Sequence, residues 1–289
     1  MEIMVQNIGD KLYLALQKQI SRVIYFSEAE NISLNTAVHE VRKSFKRIRA
    51  LLLFCQDSGN DYVPGVLQQL SEFGKSISAF RNSWVNIQVL DSISKISPHI
   101  HERKLKYVKE RFSETNRQLQ FDIFENKTGA AIGHYIKEFG SGLHANFKVL
   151  AKQLVEDQLN QSFKNSYVIY QDENLYNDSE KLHDLRKKLK ILYYQTNFLK
   201  FMHAKFFKQK SDQLDIITEQ LGEDHDLSVF SDEIKKAEYR LEPDEIEILE
   251  KKIKHLRELN INKCKPRLKQ LFSDSPELFS EKIATVFNT

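Results

Sequence analysis

Apolar residues recur at three- and four-residue steps along most of the chain. Between residues 8 and 28 they fall at Leu12, Leu14, Leu16, Ile20, Val23 and Ile24, the period of an amphipathic helix. Asn35 or Thr36 can cap a second helix running to about residue 56, where "DSGND" breaks it. Pro64 sits early in a third helix that should end near Ile77, and a fourth is expected from about Ser83 to Lys95. "SPHIHERKLKYVKERFSETNRQL" opens a long charged helix with Ser97 as its cap, and "NKTGAAIGHYIKEFGSGLHANFKVLAKQLVEDQL" reads as helix interrupted near Gly140 and Gly142. "NQSFKNSYVIYQDENLYND" is polar and Asn-rich with no sustained period, so it reads as a linker, with 161–174 at its centre. It would divide the chain into 1–160 and 175–289. Beyond it, Asn177, Asp178 or Ser179 can cap a helix over 180–207, and two further helices should cover 211–221 and 225–241. Pro243 begins another with acids crowding its first turn, and "SPELFSEKIATVF" closes the chain. Runs of alternating β-branched residues are missing, so the expected fold class is all-α, with roughly ten helices.

One basic word is written twice inside this pattern. "HEVRKSFKRIRALL" begins at His39 and "HDLRKKLKILYYQ" at His183, an offset of 183 − 39 = 144 residues. The same step carries Arg42 to Arg186, Lys43 to Lys187, Lys46 to Lys190, Phe45 to Leu189 and Ile48 to Leu192. It also lands "ISAFRNSWV" (77–85) on "LGEDHDLSV" (221–229), with Asn82 meeting Asp226 and Val85 meeting Val229. A single long offset signals duplication of a whole helical unit rather than a solenoid of short repeats. The expected architecture is two helical bundles related by a pseudo-twofold axis.

On a helical wheel at about 100° per residue, His39, Arg42, Lys43, Lys46 and Arg49 share an arc of about 120°. Val41, Phe45, Ile48 and Leu52 lie opposite. The second copy repeats the stripe with His183, Arg186, Lys187 and Lys190, backed by Leu185, Leu189 and Leu192. There Tyr193 takes the place of Arg49, and Tyr194 projects near the stripe. Like charges at these spacings destabilise an isolated helix by about 0.2–0.5 kcal/mol per pair. Glu40 and Asp184 sit about 100° around from their histidines, so the cations should not be laced to acids of their own helix. Solvent, acids from other helices or an anionic ligand must offset the repulsion. A lone Lys/Arg face is ordinarily solvated surface. Two copies, each with histidine at the same place, favour a ligand. Phosphate suits Arg through bidentate geometry and Lys through its compact charge, and a linear polyanion fits paired stripes better than one small phosphate.

Composition narrows the field without changing that picture. Hydrophobic residues make up 41% of 289, ample for a packed core, and the net charge of +3 means that basic surface is local and offset by acid elsewhere. Cys55 and Cys264 are too far apart for a zinc or disulfide framework. Neither a signal peptide nor a membrane span is visible, so the expected location is the cytoplasm, with no membrane partner.

At the two basic words and the blocks that trail them, the sequence resembles the CHAD family, the conserved-histidine α-helical domain. The pattern is H-x-x-R-x-x-x-K-x-x-R in each of two repeats, followed by an L-G-x-x-x-D-x-x-V-like block. "HEVRKSFKRIRALL" and "LGEDHDLSV" are close matches, and the resemblance covers essentially the whole chain. It implies a pair of four-helix bundles around a basic central groove or pore that binds inorganic polyphosphate, and association with polyphosphate granules. Some family members are fused to a triphosphate-tunnel domain, for which no β-rich segment is seen here. Departures fall at Ile191 and Tyr193 in the second word, and at Ser78, Asn82 and Trp84 in the first trailing block.

Other constellations carry less. His99 and His101 would diverge by about 200° on a helix, a poor shared metal site. The repeat histidines sit among cations, which disfavours a metal and depresses their proton affinity until a polyanion arrives. The basic clusters at 103–111 and 251–269 scatter around their helices and read mostly as solvated surface. Nucleophile–base motifs and Gly-rich phosphate loops are missing. The expectation is therefore a non-enzymatic polyphosphate binder without cofactor. His39, Arg42, Lys43, Lys46, Arg49, His183, Arg186, Lys187 and Lys190 carry the contacts, and Arg81, Tyr194 and Asp226 support them. Asp226 would orient a stripe cation. Nucleic acid is the competing polyanion; an acidic protein partner and a metal-dependent phosphate-processing enzyme are the remaining rivals.

Overall fold

The computed structural model describes residues 8–56, 62–94, 102–143 and 150–288. Among them there are eleven α-helices and no strand. The first half contributes α1 (Ile8–Glu28), α2 (Leu34–Leu52), α3 (Tyr62–Ser76), α4 (Ser78–Ser94), α5 (Glu102–Glu125) and α6 (Thr128–Gly142). The second contributes α7 (Lys152–Tyr170), α8 (Ser179–Phe198), α9 (Ala204–Glu233), α10 (Pro243–Leu271) and α11 (Pro276–Asn288).

Local signals explain most boundaries. Asp178 caps α8 by accepting from the Glu180 and Lys181 amides, and Glu242 and Glu245 close a reciprocal capping box ahead of Pro243 in α10. The cap of α2 is Ser33, which accepts from the Thr36 amide at 3.3 Å, rather than Asn35 or Thr36. α4 begins a turn earlier than expected, at Ser78. The supposed cap Ser97 and the break "DSGND" lie outside the described residues.

Two expectations fail on tertiary packing. Residues 160–170, read as part of a linker, belong to α7, which buries Val155, Leu159 and Phe163 at helical spacing and stacks Phe163 on Phe279 at 4.0 Å. Its Ser162 and Ser166 look like loop residues in sequence but are buried against the bundle. The helices expected over 211–221 and 225–241 are one helix, α9, 30 residues long. Gly222 lies inside it, and the roughly 1 kcal/mol a helical glycine costs relative to alanine is small beside a helix anchored in core at both ends. α8 correspondingly stops at Phe198, followed by a 3₁₀ turn over Leu199–Phe201.

Repeat-related segments meet one another across the molecule. α2 packs on α8, and α4 packs on α9. The larger apolar core joins α1, α2, α3 and α6 to α7, α8 and α11. A smaller one joins Ile87, Leu90 and Phe112 of the first half to Leu227, Phe230 and Ile253 of the second. Both cores draw on both halves, so the stripe helices are held from behind by shared apolar packing. No described helix is long and apolar enough to cross a membrane.

Candidate functional site

α2 and α8 turn their apolar faces into the larger core, with Val41, Phe45 and Ile48 buried on one and Leu185, Leu189 and Leu192 on the other. The helices are joined at one end by Gln195, whose amide donates to the Ala50 carbonyl at 3.2 Å. Their cationic faces are thereby brought together. Arg186, Arg42 and Lys190 all press on Lys46, with Arg186 the strongest charged influence. Arg81 from α4 acts on both Arg42 and His39. Asp226 from α9 sits among Arg186, Arg81 and Lys46.

Equivalent residues of the two repeats are treated differently. Arg42 donates to the Gly74 carbonyl at 2.7 Å and to the Ser78 hydroxyl. Arg186 lies flat against Gly222, where a Cβ would stand 3.0 Å from its Nη2 and 3.2 Å from its Nε. That Nε is buried without a hydrogen-bond partner. The lysines show the reverse. Lys46 has no ion pair or hydrogen bond among the described residues, whereas Lys190 is 3.7 Å from Asp215 and 4.9 Å from the centre of the Tyr193 ring.

Lys43 and Lys187 do pair with acids of their own helices, contrary to expectation. Lys187 is 2.6 Å from Asp184 and Lys43 is 3.9 Å from Glu40. Residues three apart are neighbours on a helix, and a lysine stem is long enough to swing off the stripe toward the acid. Glu40 is also held by Arg22 of α1, which leaves Lys43 the looser of the two.

The histidines diverge further. His39 is half exposed, 4.0 Å from Glu40. His183 stacks on His225 with ring centroids 3.7 Å apart and 21° between planes, and its Nδ1 is buried without a partner. Burial and the cations Lys187 and Arg186 push His183 down to about 4. Burial, His183 and Arg186 push His225 down to about 3. His39 is lowered by burial and Arg81. Crowding by the surrounding protein, then Arg186 and Arg42, push Lys46 down to about 7, although the residue as a whole is exposed. Burial raises Asp226, and the nearby cations only partly oppose it.

The remaining expected residues fall at the margins. Arg49 is exposed at the end of α2, where partial desolvation by neighbouring protein is the leading influence and lowers its proton affinity. Tyr194 stands behind the stripe, 8% exposed, with the Arg47 guanidinium 5.8 Å from its ring centre. Asp226 makes no ion pair or hydrogen bond to a stripe cation among the described residues, so its influence is electrostatic. In the basic clusters, Lys104, Lys109 and Lys251 pair with Glu245, Asp91 and Glu247 at 2.7, 2.6 and 2.6 Å. Arg257 grips the buried Asp224. Among the described residues no group of three or more His, Cys, Asp or Glu could hold a metal ion; His99 and His101 lie outside them. The site member that sequence reasoning missed is His225. The signal was present: at an offset of 144 residues it is the counterpart of Arg81.

Comparison with known proteins agrees with this architecture. The profile of the CHAD domain matches residues 14–235. Among solved structures, PptA from Streptomyces chartreusis superposes with a TM-score of 0.64 at 14% identity, covering 92% of this chain and 99% of that one. The crystal structure of the CHAD domain from the plant Ricinus communis superposes with a TM-score of 0.60, also at 14% identity, over 98% of this chain and 92% of that one. At such identity the likeness carries the fold. No curated protein matches the chain.

Proposed function

The chain belongs to the CHAD family, and from that premise we propose that it binds inorganic polyphosphate without chemical turnover, through the groove between α2 and α8. One observation carries the proposal. Lys46 and Arg186, one from each repeat, press on each other, and neither has a hydrogen bond or ion pair among the described residues. Holding two such cations together is costly without a counter-charge, and an anion between them relieves the repulsion. Arg42, Arg81 and Lys190 widen the positive field so that a chain of phosphates rather than a single one is accommodated. The same surface would draw the protein to polyphosphate granules.

Bases of a nucleic acid would need an aromatic platform beside the cations. Tyr194 is buried and the face of Tyr193 is covered by Lys190, which favours the backbone-only polyanion. The test is binding of long-chain polyphosphate by the wild type and by Arg42→Ala/Lys46→Ala/Arg186→Ala/Lys190→Ala, at two salt concentrations with RNA as competitor. Tight binding that weakens steeply with salt and is lost in the folded quadruple variant is the expected result. Equal binding by the variant overturns the reading, as does a preference for RNA. Phosphate release with Mg²⁺ would overturn the non-enzymatic part.

A further inference from the structure

The two repeats differ in which cations stay charged. Beside His39 the first repeat places Arg81, whose guanidinium keeps its proton throughout the working range. At the equivalent position beside His183 the second repeat places His225. A permanent cation has been exchanged for a titratable one, where it lies face to face with a second titratable ring. Stacked imidazoles with centroids 3.7 Å apart cannot both become imidazolium without strong mutual repulsion.

The surroundings enforce neutrality in the empty site. α8 itself contributes Arg186, Lys187 and Lys190, with Asp184 the acid that acts most on His183. α2 contributes Arg42 and Lys46, with His39, Lys43 and Glu40 further along it. α4 adds Arg81, and α9 adds Asp226 with Glu223 beside it. Cations outnumber acids around the ring pair, and the pair is uncharged near neutral pH. The His183 Nδ1 nevertheless sits buried with no partner. That buried nitrogen is closed to a ligand, so a phosphate oxygen can meet only the ring's other nitrogen, and its charge reverses the field that kept a second proton off the ring.

We propose that the His183–His225 stack makes anion loading proton-coupled: the second repeat takes up protons from solvent as a polyphosphate segment arrives, and grips harder as the pH falls. This rests on the polyphosphate reading above. Each ring that loads gains one solvent proton, becomes an imidazolium and donates to a phosphate oxygen. Polyanion binding in the first repeat, built on Arg42 and Arg81, lacks this coupling apart from His39 and Lys46.

The decisive experiment is calorimetric titration of the full chain with long-chain polyphosphate at about pH 7 in two buffers of different ionisation heat. Affinity is also measured at about pH 8 and about pH 6, with circular dichroism confirming the fold at each. Net proton uptake is expected, with affinity rising by up to about tenfold per pH unit for each proton taken up. Lys46→Arg removes the share of the lysine and should leave most of the uptake. His225→Arg writes the first repeat's residue into the second; uptake should fall and the pH slope flatten, with the permanent cation raising affinity at about pH 8. If that variant does not fold, imidazole proton resonances of the wild type decide. A ring of the stack that begins to titrate near neutral pH only when polyphosphate is present supports the proposal, and two rings that both stay neutral overturn it. Tight binding with no buffer-dependent heat sinks this inference alone, whereas absence of binding at every pH and salt sinks the polyphosphate reading itself.

Discussion

Arg42 and Arg186 occupy the same place in two copies of one motif, and they are held in opposite ways. Arg42 is tied to the Gly74 carbonyl and the Ser78 hydroxyl; Arg186 rests on a bare glycine with its Nε unmet. Four residues on, the relation inverts: Lys46 is unpaired and Lys190 is engaged by Asp215 and Tyr193. Each repeat therefore satisfies one cation of its Arg/Lys pair and leaves the other vacant. The two vacant ones, Lys46 and Arg186, are neighbours across the α2–α8 seam. A duplicated sequence has produced an asymmetric site, in which the strongest demand for an anion is off the centre of the repeat.

The most forceful way to break this comparison is to delete the two kinds of cation separately. Lys46→Ala/Arg186→Ala should lower polyphosphate affinity by two decades or more, since charge-assisted hydrogen bonds contribute about 1.5–3 kcal/mol each. Arg42→Ala/Lys190→Ala removes equal charge but mostly groups already satisfied, and should cost about tenfold or less. Equal losses from the two double variants, measured at one salt concentration, would show that only total charge matters.

Gly222→Ala gives a smaller and sharper test. The new methyl would stand 3.0–3.2 Å from the Arg186 guanidinium, a flexible group that moves at little cost. Affinity should fall about fivefold while thermal stability holds or rises, because alanine favours the helix by about 1 kcal/mol over glycine. Loss of stability in parallel with affinity would place Gly222 in the packing rather than in service of Arg186.

The mildest change runs the other way. Asp215→Asn frees Lys190 and removes an acid from the groove margin, and affinity should rise about two- to threefold, the scale of a partly exposed ion pair. An unchanged affinity would mean that Lys190 contributes no more when released.

Much of this was legible in the chain itself. The spacing of Val41, Phe45 and Ile48 placed the cationic stripe of α2 opposite the core, and the offset of 144 residues located its twin on α8. What the pattern concealed has specific physical causes. Ser162 and Ser166 are polar in type and buried in fact, so α7 looked like linker. Gly222 looked like a helix stop because propensity weighs about 1 kcal/mol locally, while core packing at both ends of α9 is non-local. The pairing of Lys187 with Asp184 and of Lys190 with Asp215 depends on side-chain reach, which a wheel drawn through Cα positions ignores. His225 was visible only to a register that compared residue types at each repeat position, rather than the positions that match.

The continuity of α9 has a mechanical corollary. Asp215, Gly222 and Asp226, which face Lys190, Arg186 and the shared cationic cluster, are stations on one unbroken rod, about 16 Å from first to last at 1.5 Å per residue. In the first half the Arg42 anchors, Gly74 and Ser78 (the latter the counterpart of Gly222), belong to two helices that meet at Ile77. Arg42 is thus anchored across a helix junction and Arg186 against an uninterrupted helix, so a ligand that displaced Arg42 would work at a joint and one that displaced Arg186 would work against a stiff beam.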